Sequence, residues 1–293
     1  MSLLVGVADH GSIAAAAAAA ECTPSSASEQ LSKLERELGV DLLERSPRSV
    51  RLTSAGAELV EHARRILAQI DAAEQAVEEV AGLSTGRLRV ASYHTGATRY
   101  VVPSIAAFLR LHPHVRVNFD EMEPEVAVPA VQSGAIDIAL VHRYIGLQAP
   151  DTVGLDVVDV RTDALILAVP DRLAVTAGSV SLLEFVDAPW ISTRLGEGFQ
   201  AITELAAARL GFAPTIVARA DSYGLVLDLV AAGLGVALVP TSAMVPRLAL
   251  EAYAVHEPAN LGRQESIITR SADRAPGTRE MRNLITERFR RVA

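Results

Sequence analysis

The chain has 293 residues, half of them hydrophobic and 21% charged, with a formal net charge of −8. This length exceeds a single hydrophobic core and predicts two or three domains. The lone Cys22 excludes a disulfide framework, and we expect no membrane-spanning helix, which needs roughly 18 consecutive and mainly apolar residues. We therefore expect a folded protein of the cytoplasm, with no membrane partner.

The first predicted elements are two short helices joined by a tight turn. Residues 13–21 are nearly pure alanine, a strong helix former, and follow the N-cap candidate Ser12. A second helix should begin at Pro24, after the N-cap candidate Thr23, and end at Gly39. This pair predicts a helix-turn-helix.

The second helix has an apolar and a polar face. The apolar side chains recur at intervals of three and four and should be buried: Ala27, Leu31, Leu34 and Leu38. The other face presents hydroxyl and charged groups: Ser25, Ser28, Glu29, Ser32 and Lys33. This pattern alone fits both a helical hairpin whose polar face is solvated and a helix that reads DNA.

The next segment, residues 46–56, favours the DNA-reading interpretation. A proline turn, alternating apolar residues and an outward Arg51 predict a two-stranded wing with Arg48 at its tip and a helix cap at Thr53. Residues 1–56 hold five basic and seven acidic side chains, a formal charge of −2, so this is not a basic domain. Residues 45–56, however, hold three arginines and no acid, and arginines bind phosphate.

These segments, DHGSIAAAAAAAECTPSSASEQLSKLERELGVDLLERSPRSVRLTSAG and the later AAGLGVALVP at 231–240, resemble the LysR-type transcriptional regulators over nearly the whole chain. The resemblance implies an N-terminal all-α winged helix-turn-helix, a long linker helix, and an α/β periplasmic-binding-protein-like effector domain of two subdomains. It places Pro24, Ser25, Ser28 and Glu29 toward the DNA groove. With the neighbouring polar and basic residues, the predicted DNA-binding set is Thr23, Pro24, Ser25, Ser28, Glu29, Lys33, Arg48 and Arg51.

Two positions depart from the family pattern. Pro24-Ser25 stands where many members have Gln-Pro, and Glu29 stands where many have Arg or Gln.

A long helix is predicted after Thr53. Its apolar residues step by three or four: Leu59, Ala63, Ile66, Ile70, Ala73, Val77 and Val80. Residues 57–82 hold two basic and six acidic side chains, so this helix should not lie along DNA. We expect it to pair with a copy of itself, the alternative being packing onto its own domain. Residues 83–86 form a predicted hinge.

From Arg87 onward, strands alternate with helices. The strands are predicted at 87–92, 115–121, 135–141, 164–170, 190–193, 215–220 and 235–240, and the helices at 97–112, 124–134, 181–187, 198–211, 222–233 and 278–291. This alternation predicts mainly parallel sheets with a ligand site at the carboxyl ends of strands. The resemblance implies that the chain crosses into a second subdomain near residue 161 and returns near 264.

The expected division of the chain has four parts. They are a DNA-binding domain at 1–56, a linker and dimerisation helix with its hinge at 57–86, effector-binding subdomain I at 87–160 plus 264–293, and effector-binding subdomain II at 161–263.

Side chains at the predicted strand ends should line the cleft between the subdomains: Ser92, His94, Thr95, His142, Arg143, Thr193 and Gly196. Each has a simpler interpretation. Ser92 and Thr95 could cap the following helix, and Arg143 could pair with an acid instead of a carboxylate ligand. A metal site or a pH-sensitive pair formed by His94 and His142 across the cleft is the weaker hypothesis, and we expect no metal and no cofactor.

One motif favours another class of protein. GEGFQA at 196–201, with Asp221 downstream, formally matches a dinucleotide-binding fingerprint. It lies late in the chain without a surrounding nucleotide-binding unit, so an anion held by its backbone amides is the preferred interpretation. A cytoplasmic small-molecule-binding protein and a nicotinamide-dependent enzyme remain the alternatives.

The sequence thus predicts a ligand-gated regulator and not an enzyme. Its expected partners are double-stranded DNA at promoters, a small-molecule effector, and further copies of the chain in a homodimer and, by resemblance, a homotetramer. Binding of the effector in the cleft should change the spacing of two DNA-binding domains.

Overall fold

A computed structural model describes residues 1–46, 49–80, 86–176, 178–193, 198–244 and 249–292. The amino-terminal head has three short helices, a hairpin and a long helix: α1 (Ser2–His10), α2 (Ile13–Ala19), α3 (Pro24–Leu38), β1 (Leu43–Ser46), β2 (Ser49–Leu52) and α4 (Ser54–Val80).

The predicted helix-turn-helix is confirmed together with its caps. Ser12 Oγ accepts a hydrogen bond from the amide of Ala15 at 3.1 Å at the start of α2. Thr23 Oγ1 accepts one from the amide of Ser26 at 3.3 Å at the start of α3. The helix ends at Gly39, whose φ of 69° lies in the left-handed region that glycine adopts without strain.

The predicted apolar face of α3 is only partly buried. Ala27 and Leu31 are in the core of the head and Leu34 is half-buried, but Leu38 is 50% exposed, which corrects the expectation for that residue. Leu38 belongs to the last turn before Gly39, where the chain leaves the helix.

Two contacts hold the hairpin against the helices. Glu35 Oε1 accepts hydrogen bonds from the amides of Leu42 and Leu43 at 2.9 and 3.0 Å, which joins α3 to the start of β1. A Cβ added to Gly56 would lie 2.1 Å from the carbonyl oxygen of Leu42, so only glycine allows α4 to start this close to the hairpin. Thr53 caps α4 as predicted, because its Oγ1 accepts a hydrogen bond from the amide of Gly56 at 3.0 Å.

The rest of the chain forms two α/β units joined by long strands. The first unit begins with β3 (Arg87–Ser92), α5 (His94–Gly96), a π-helical turn (Ala97–Val101), α6 (Val102–Leu111), β4 (Arg116–Glu121), α7 (Pro124–Gln132) and β5 (Ile138–Tyr144). The chain continues through β6 (Leu155–Pro170), β7 (Ser179–Ser181), β8 (Pro189–Ser192), α8 (Gly198–Ala208), β9 (Thr215–Arg219), α9 (Tyr223–Ala231), β10 (Ala237–Pro240), β11 (Leu250–Glu257), β12 (Gly262–Arg270) and α10 (Pro276–Val292).

The sheets are mixed, which corrects the expectation of mainly parallel strands. The main sheet has the order β4-β3-β5-β12-β6-β11-β7, with β10 also on β6, while β8 and β9 pair separately. Strand β3 is parallel to β4 and β5, but β12 is antiparallel to β5 and β6, and β6 is antiparallel to β10 and β11. The antiparallel pairs arise because β6 and β12 connect the two units and run in opposite directions.

Strand β6 changes partners along its length. Residues 155–164 pair with β12, and residues 165–170 pair with β10 and β11. Helix α10 returns to the first unit, where Phe289 stacks on Tyr100 with ring centroids 3.7 Å apart. The hydrophobic core of the first unit contains residues of β3, β5 and α10, whereas that of the second unit contains Trp190 and the buried residues of α9 and β10.

In the described part of the chain, no single helix is both long and apolar enough to cross a membrane. The pair α1 and α2 meets the length and composition criteria only when taken together, and it is bent by 120°.

Candidate DNA-facing helix and effector cleft

The predicted DNA-binding residues of the head lie on one exposed side of α3 and on the hairpin. Thr23, Pro24, Ser25, Glu29 and Lys33 are exposed, and Ser28 is half-buried. These residues lie together at the start and along the polar face of the helix.

The basic side chains that the structure describes on this surface, Lys33 and Arg51, are not locked by strong ion pairs. Lys33 Nζ lies 3.9 Å from Glu37 Oε1, with both side chains mostly exposed, so the pair adds little stability. Arg51 is exposed on β2, opposite Glu44 in the hairpin register. Arg48, predicted at the wing tip, lies outside the described residues.

A cavity of about 870 Å³ opens between the two α/β units. The first unit contributes the ends of β3 and β5 and the start of α7, and the second contributes Thr193, Gly198 and the start of α9. Five of the predicted effector residues line it: His94, Thr95, His142, Arg143 and Thr193. Gly196 lies outside the described residues.

One prediction for this cleft needs correction, and one weaker hypothesis is not supported. Ser92 is fully buried and does not line the cavity, and its hydroxyl donates to the carbonyl of Tyr93 at 3.2 Å. The two histidines do not face each other across the cleft, because His94 follows β3 and His142 lies on β5, in the same sheet. His94 Nδ1 instead lies 3.4 Å from Glu121 Oε2.

The floor of the cavity is formed by Arg263, which the sequence analysis missed. Its side chain is fully buried and its guanidinium lies 4.8 Å from the centre of the Tyr93 ring. Nη2 donates to Thr95 Oγ1 in the first unit and to Ser242 Oγ in the second, each at 2.8 Å. Arg263 therefore joins the two units beneath the cavity.

Arg263 belongs to a buried cluster of two arginines and two acids. Its Nη2 lies 3.2 Å from Asp163 Oδ2 and 3.4 Å from Glu265 Oε1. Arg161 lies 3.0 Å from Glu265 and 3.4 Å from Asp163, and Tyr93 donates its hydroxyl hydrogen to Glu265. The formal charges of the four residues Arg161, Asp163, Arg263 and Glu265 cancel, which is the condition under which buried charges are tolerated.

The electrostatics of the floor keep Arg263 charged. Burial disfavours the charged guanidinium, but the Tyr93, Tyr223 and Tyr144 hydroxyls and Glu265 outweigh it and raise the pKa of Arg263. The side chain is therefore a permanent cation and a permanent hydrogen-bond donor.

An aromatic wall stands above Arg263. The ring of His142 contacts Tyr93 and Tyr144, with centroids 4.5 and 5.2 Å apart. Burial, and secondly the charge of Arg263, lowers the pKa of His142 well below its usual value, so its ring is neutral at physiological pH. The hydroxyls of Tyr144 on β5 and Tyr223 on α9 are hydrogen-bonded at 2.7 Å, a second link between the units.

Three polar atoms of cavity-lining residues are buried without a hydrogen-bond partner in the described part of the protein. They are His142 Nδ1, Thr193 Oγ1 and Arg263 Nη1. Such groups are rare in folded proteins, and in a cavity they indicate the hydrogen bonds that a ligand would complete.

The missed charged residues of the cluster share one property, which is that they lie within buried strands. Arg263 and Glu265 alternate in β12, whose residues are nearly all buried, and Asp163 lies in the buried half of β6. Charged residues within an apolar strand are rarely buried unless they are paired. Their occurrence in such a strand is therefore a sequence signal that could have predicted a buried charge cluster.

In the described ranges, no group of three or more histidine, cysteine or acidic residues is arranged to hold a metal ion. The fingerprint proposed at 196–201 includes Gly198, which starts α8 in the second unit, after β8.

Comparison with known proteins covers both parts of the chain. Residues 1–57 match the family model described as a bacterial regulatory helix-turn-helix protein of the lysR family, and residues 81–290 match the LysR substrate binding domain. A probable HTH-type transcriptional regulator LrrA from Synechococcus elongatus is 28% identical over 247 residues, which are 84% of this chain and 81% of that protein. A probable hydrogen peroxide-inducible genes activator from Mycobacterium avium is 32% identical over 302 residues, covering 97% of this chain and 91% of that protein.

Solved structures show the same architecture over the full length. Full-length CbnR complexed with its target DNA has a TM-score of 0.62 and 25% identity, covering 100% of this chain and 98% of that chain. A full-length OxyR variant from Pseudomonas aeruginosa has a TM-score of 0.71 and 21% identity, covering 99% of this chain and 93% of that chain. These relatives are transcription regulators and not enzymes, so neither of the two alternative functions is favoured.

Proposed function

The chain belongs to the LysR family of transcriptional regulators, and from this premise we propose how its residues divide the work. We propose that α3 enters the major groove of promoter DNA with Pro24, Ser25, Ser28 and Glu29 toward the bases. Thr23, Lys33, Arg51 and Arg48 contact the backbone around it. The observation that supports this most is the capped, exposed polar face of α3 beside a hairpin that Glu35 holds in place.

The effector binds in the cavity between the two α/β units. Thr95 and His142 from the first unit and Thr193 from the second supply contacts, with Arg263 beneath them and Arg143 at the rim. A ligand that completes the bonds of these residues changes the angle between the units, because Arg263 and the Tyr144–Tyr223 pair connect both.

The four-part division of the chain is proposed at the boundaries expected from the sequence: 1–56, 57–86, 87–160 plus 264–293, and 161–263. It is supported by the change of partners along β6 and by the return of the chain through β12.

Helix α4 joins two copies of the chain in this proposal. Three side chains of its apolar stripe are exposed: Ile66 (44%), Ile70 (49%) and Val77 (69%). Exposure of such a stripe to water is unfavourable, so a partner surface should cover it. A homodimer covers this stripe, and two dimers assemble into the tetramer. Such a regulator works in the cytoplasm, where promoter DNA is accessible.

The name of the Mycobacterium avium relative raises a redox alternative. An intrachain disulfide switch needs two cysteines, and this chain has only Cys22, half-buried in the head between α2 and α3. Control therefore comes from a ligand in the cleft.

The division of roles within the head is tested by competition binding on a library of duplex sites. Ser28→Ala should change the preferred base at one or two positions, whereas Arg51→Ala should weaken all sites about equally and reduce the salt dependence. A uniform effect of Ser28→Ala, with no change in base preference, would contradict the assignment of α3 to base reading.

A further inference from the structure

The charges of the cleft are distributed unevenly between floor and rim. On the floor, the two arginines and two acids of the buried cluster cancel. The described lining residues outside that cluster include one arginine, Arg143, and five carboxylates: Glu121, Glu123, Glu125, Asp151 and Asp221. Glu123 and Asp221 already take part in other interactions. The described rim carries more acidic than basic groups, which disfavours the approach of an anion.

The floor offers a hydrogen-bond donor without offering net positive charge. Arg263 Nη1 is buried, belongs to a cavity-lining residue and has no partner in the described part of the chain. Because Asp163 and Glu265 already compensate the guanidinium, a carboxylate bound there would leave a net buried negative charge. A neutral acceptor, such as an amide or hydroxyl oxygen, completes the bond without that cost.

One rim carboxylate stands out because it is unengaged. Glu121 lies 3.4 Å from His94, and Asp151 accepts a hydrogen bond from the amide of Val153 at 3.0 Å. Glu125 is exposed in the first turn of α7, and within the described ranges it has no hydrogen-bond or ion-pair partner. Its Oε1 lies 3.9 Å from the position that a Cβ on Gly198 would take, so it reaches the opposite wall of the cleft.

We propose that the effector is an amine: an ammonium group binds Glu125, and a neutral acceptor oxygen accepts the Nη1 hydrogen of Arg263. This inference rests on the proposed function of the cleft as the effector site. The tyrosine and histidine rings of the wall fit an apolar or aromatic segment between the two polar ends of such a ligand.

The test is isothermal titration calorimetry on the full chain with three probes that differ in one group. Para-(aminomethyl)benzamide has an ammonium group and an amide, benzamide lacks the ammonium, and terephthalamate carries a carboxylate in its place. We expect the ammonium probe to bind at least about tenfold more tightly than either of the others, as a charge-assisted hydrogen bond predicts.

Matched variants separate the local carboxylate from the total charge. Glu125→Gln should weaken the ammonium probe about tenfold and leave benzamide unchanged. Glu251→Gln makes the same charge change on exposed β11, outside the cavity lining, and should leave all three probes unchanged.

Three results would overturn the inference: tighter binding of terephthalamate, no binding of the ammonium probe at millimolar concentration, or equal effects of the two variants. Binding of promoter DNA, measured on the same preparation, distinguishes failure of the amine inference from failure of the proposed regulatory function. If the chain still binds DNA specifically but the cleft prefers the carboxylate, only this inference fails and the regulatory function stands.

Discussion

The buried charges beneath the cleft belong to a few residues of β6 and β12. Arg263 is fully buried and Arg161 is half-buried, and each is compensated by Asp163 and Glu265. The sequence marks these residues as charged but does not show that they meet, because Arg161 and Glu265 are more than a hundred positions apart. Their pairing depends on the antiparallel register of two strands, which only the fold establishes.

Replacing Arg263 by leucine should therefore destabilise the protein. The change leaves Asp163 and Glu265 with only Arg161 as a counter-charge, and breaking a buried pair costs about 3–5 kcal/mol. Urea denaturation measures the loss. Arg143→Leu is the control, since that side chain is exposed at the same cleft and should change the free energy of unfolding by less than about 0.5 kcal/mol. Equal losses for the two variants would show that the cluster is not compensated as described.

His142 makes stability depend on pH. Its pKa is lowered in the folded state, chiefly by burial, so the unfolded chain binds more protons and the folded state loses stability as the pH falls below about 6.5. His142→Phe keeps a ring between the tyrosines and removes the titration. The wild type should lose up to about 1.4 kcal/mol per pH unit more than this variant below pH ~6.5, as measured by urea denaturation at several pH values.

His114→Phe is the control for that profile, because His114 is exposed in the turn after α6 and should leave the wild-type pH dependence unaltered. If the wild type and His142→Phe lose stability in parallel, His142 is not the group responsible.

At the scale of elements, helices were predicted better than strands. The caps at Ser12, Thr23 and Thr53 locate α2, α3 and α4 because each depends on residues adjacent in sequence. Strand β12 and the first half of β6 were missed because charged residues interrupt their apolar pattern. Those charges are neutralised by residues distant in sequence, which local patterns do not contain.

The junction of α3 and the hairpin depends on one carboxylate. Glu35→Ala removes the acceptor for the Leu42 and Leu43 amides and should reduce stability by about 1–3 kcal/mol. Glu35→Gln retains a side-chain oxygen and should recover part of the loss. Denaturation followed by circular dichroism compares the three proteins, and an alanine variant as stable as wild type would show that these bonds contribute nothing.

The exposed stripe of α4 makes a prediction about assembly. Ile70→Glu places a charge in the surface that the proposed dimer buries, so the variant should sediment as a monomer at concentrations where wild type is a dimer. Gln69→Glu introduces the same charge at the neighbouring exposed position and should remain dimeric. Analytical ultracentrifugation distinguishes the two, and a dimeric Ile70→Glu variant would place the interface elsewhere.

At the scale of the whole molecule, one chain combines a head that must bind negatively charged DNA with a cleft whose rim is acidic. The head has an exposed polar helix with few basic residues, so affinity for DNA must depend on two heads acting together. The two units that form the cleft are joined by β6, which pairs with β12 in the first unit and with β10 and β11 in the second. Family resemblance predicted this organisation, but only the structure placed Arg263 between the units.

The most direct test of the account is a titration of the full chain with the DNA upstream of its own gene and with a scrambled duplex of equal length and composition, measured by fluorescence anisotropy at fixed salt. The polar face of α3 predicts that the upstream DNA binds at least about a hundredfold more tightly. Equal affinity for the two duplexes, with and without an amine effector in the cleft, would contradict the account.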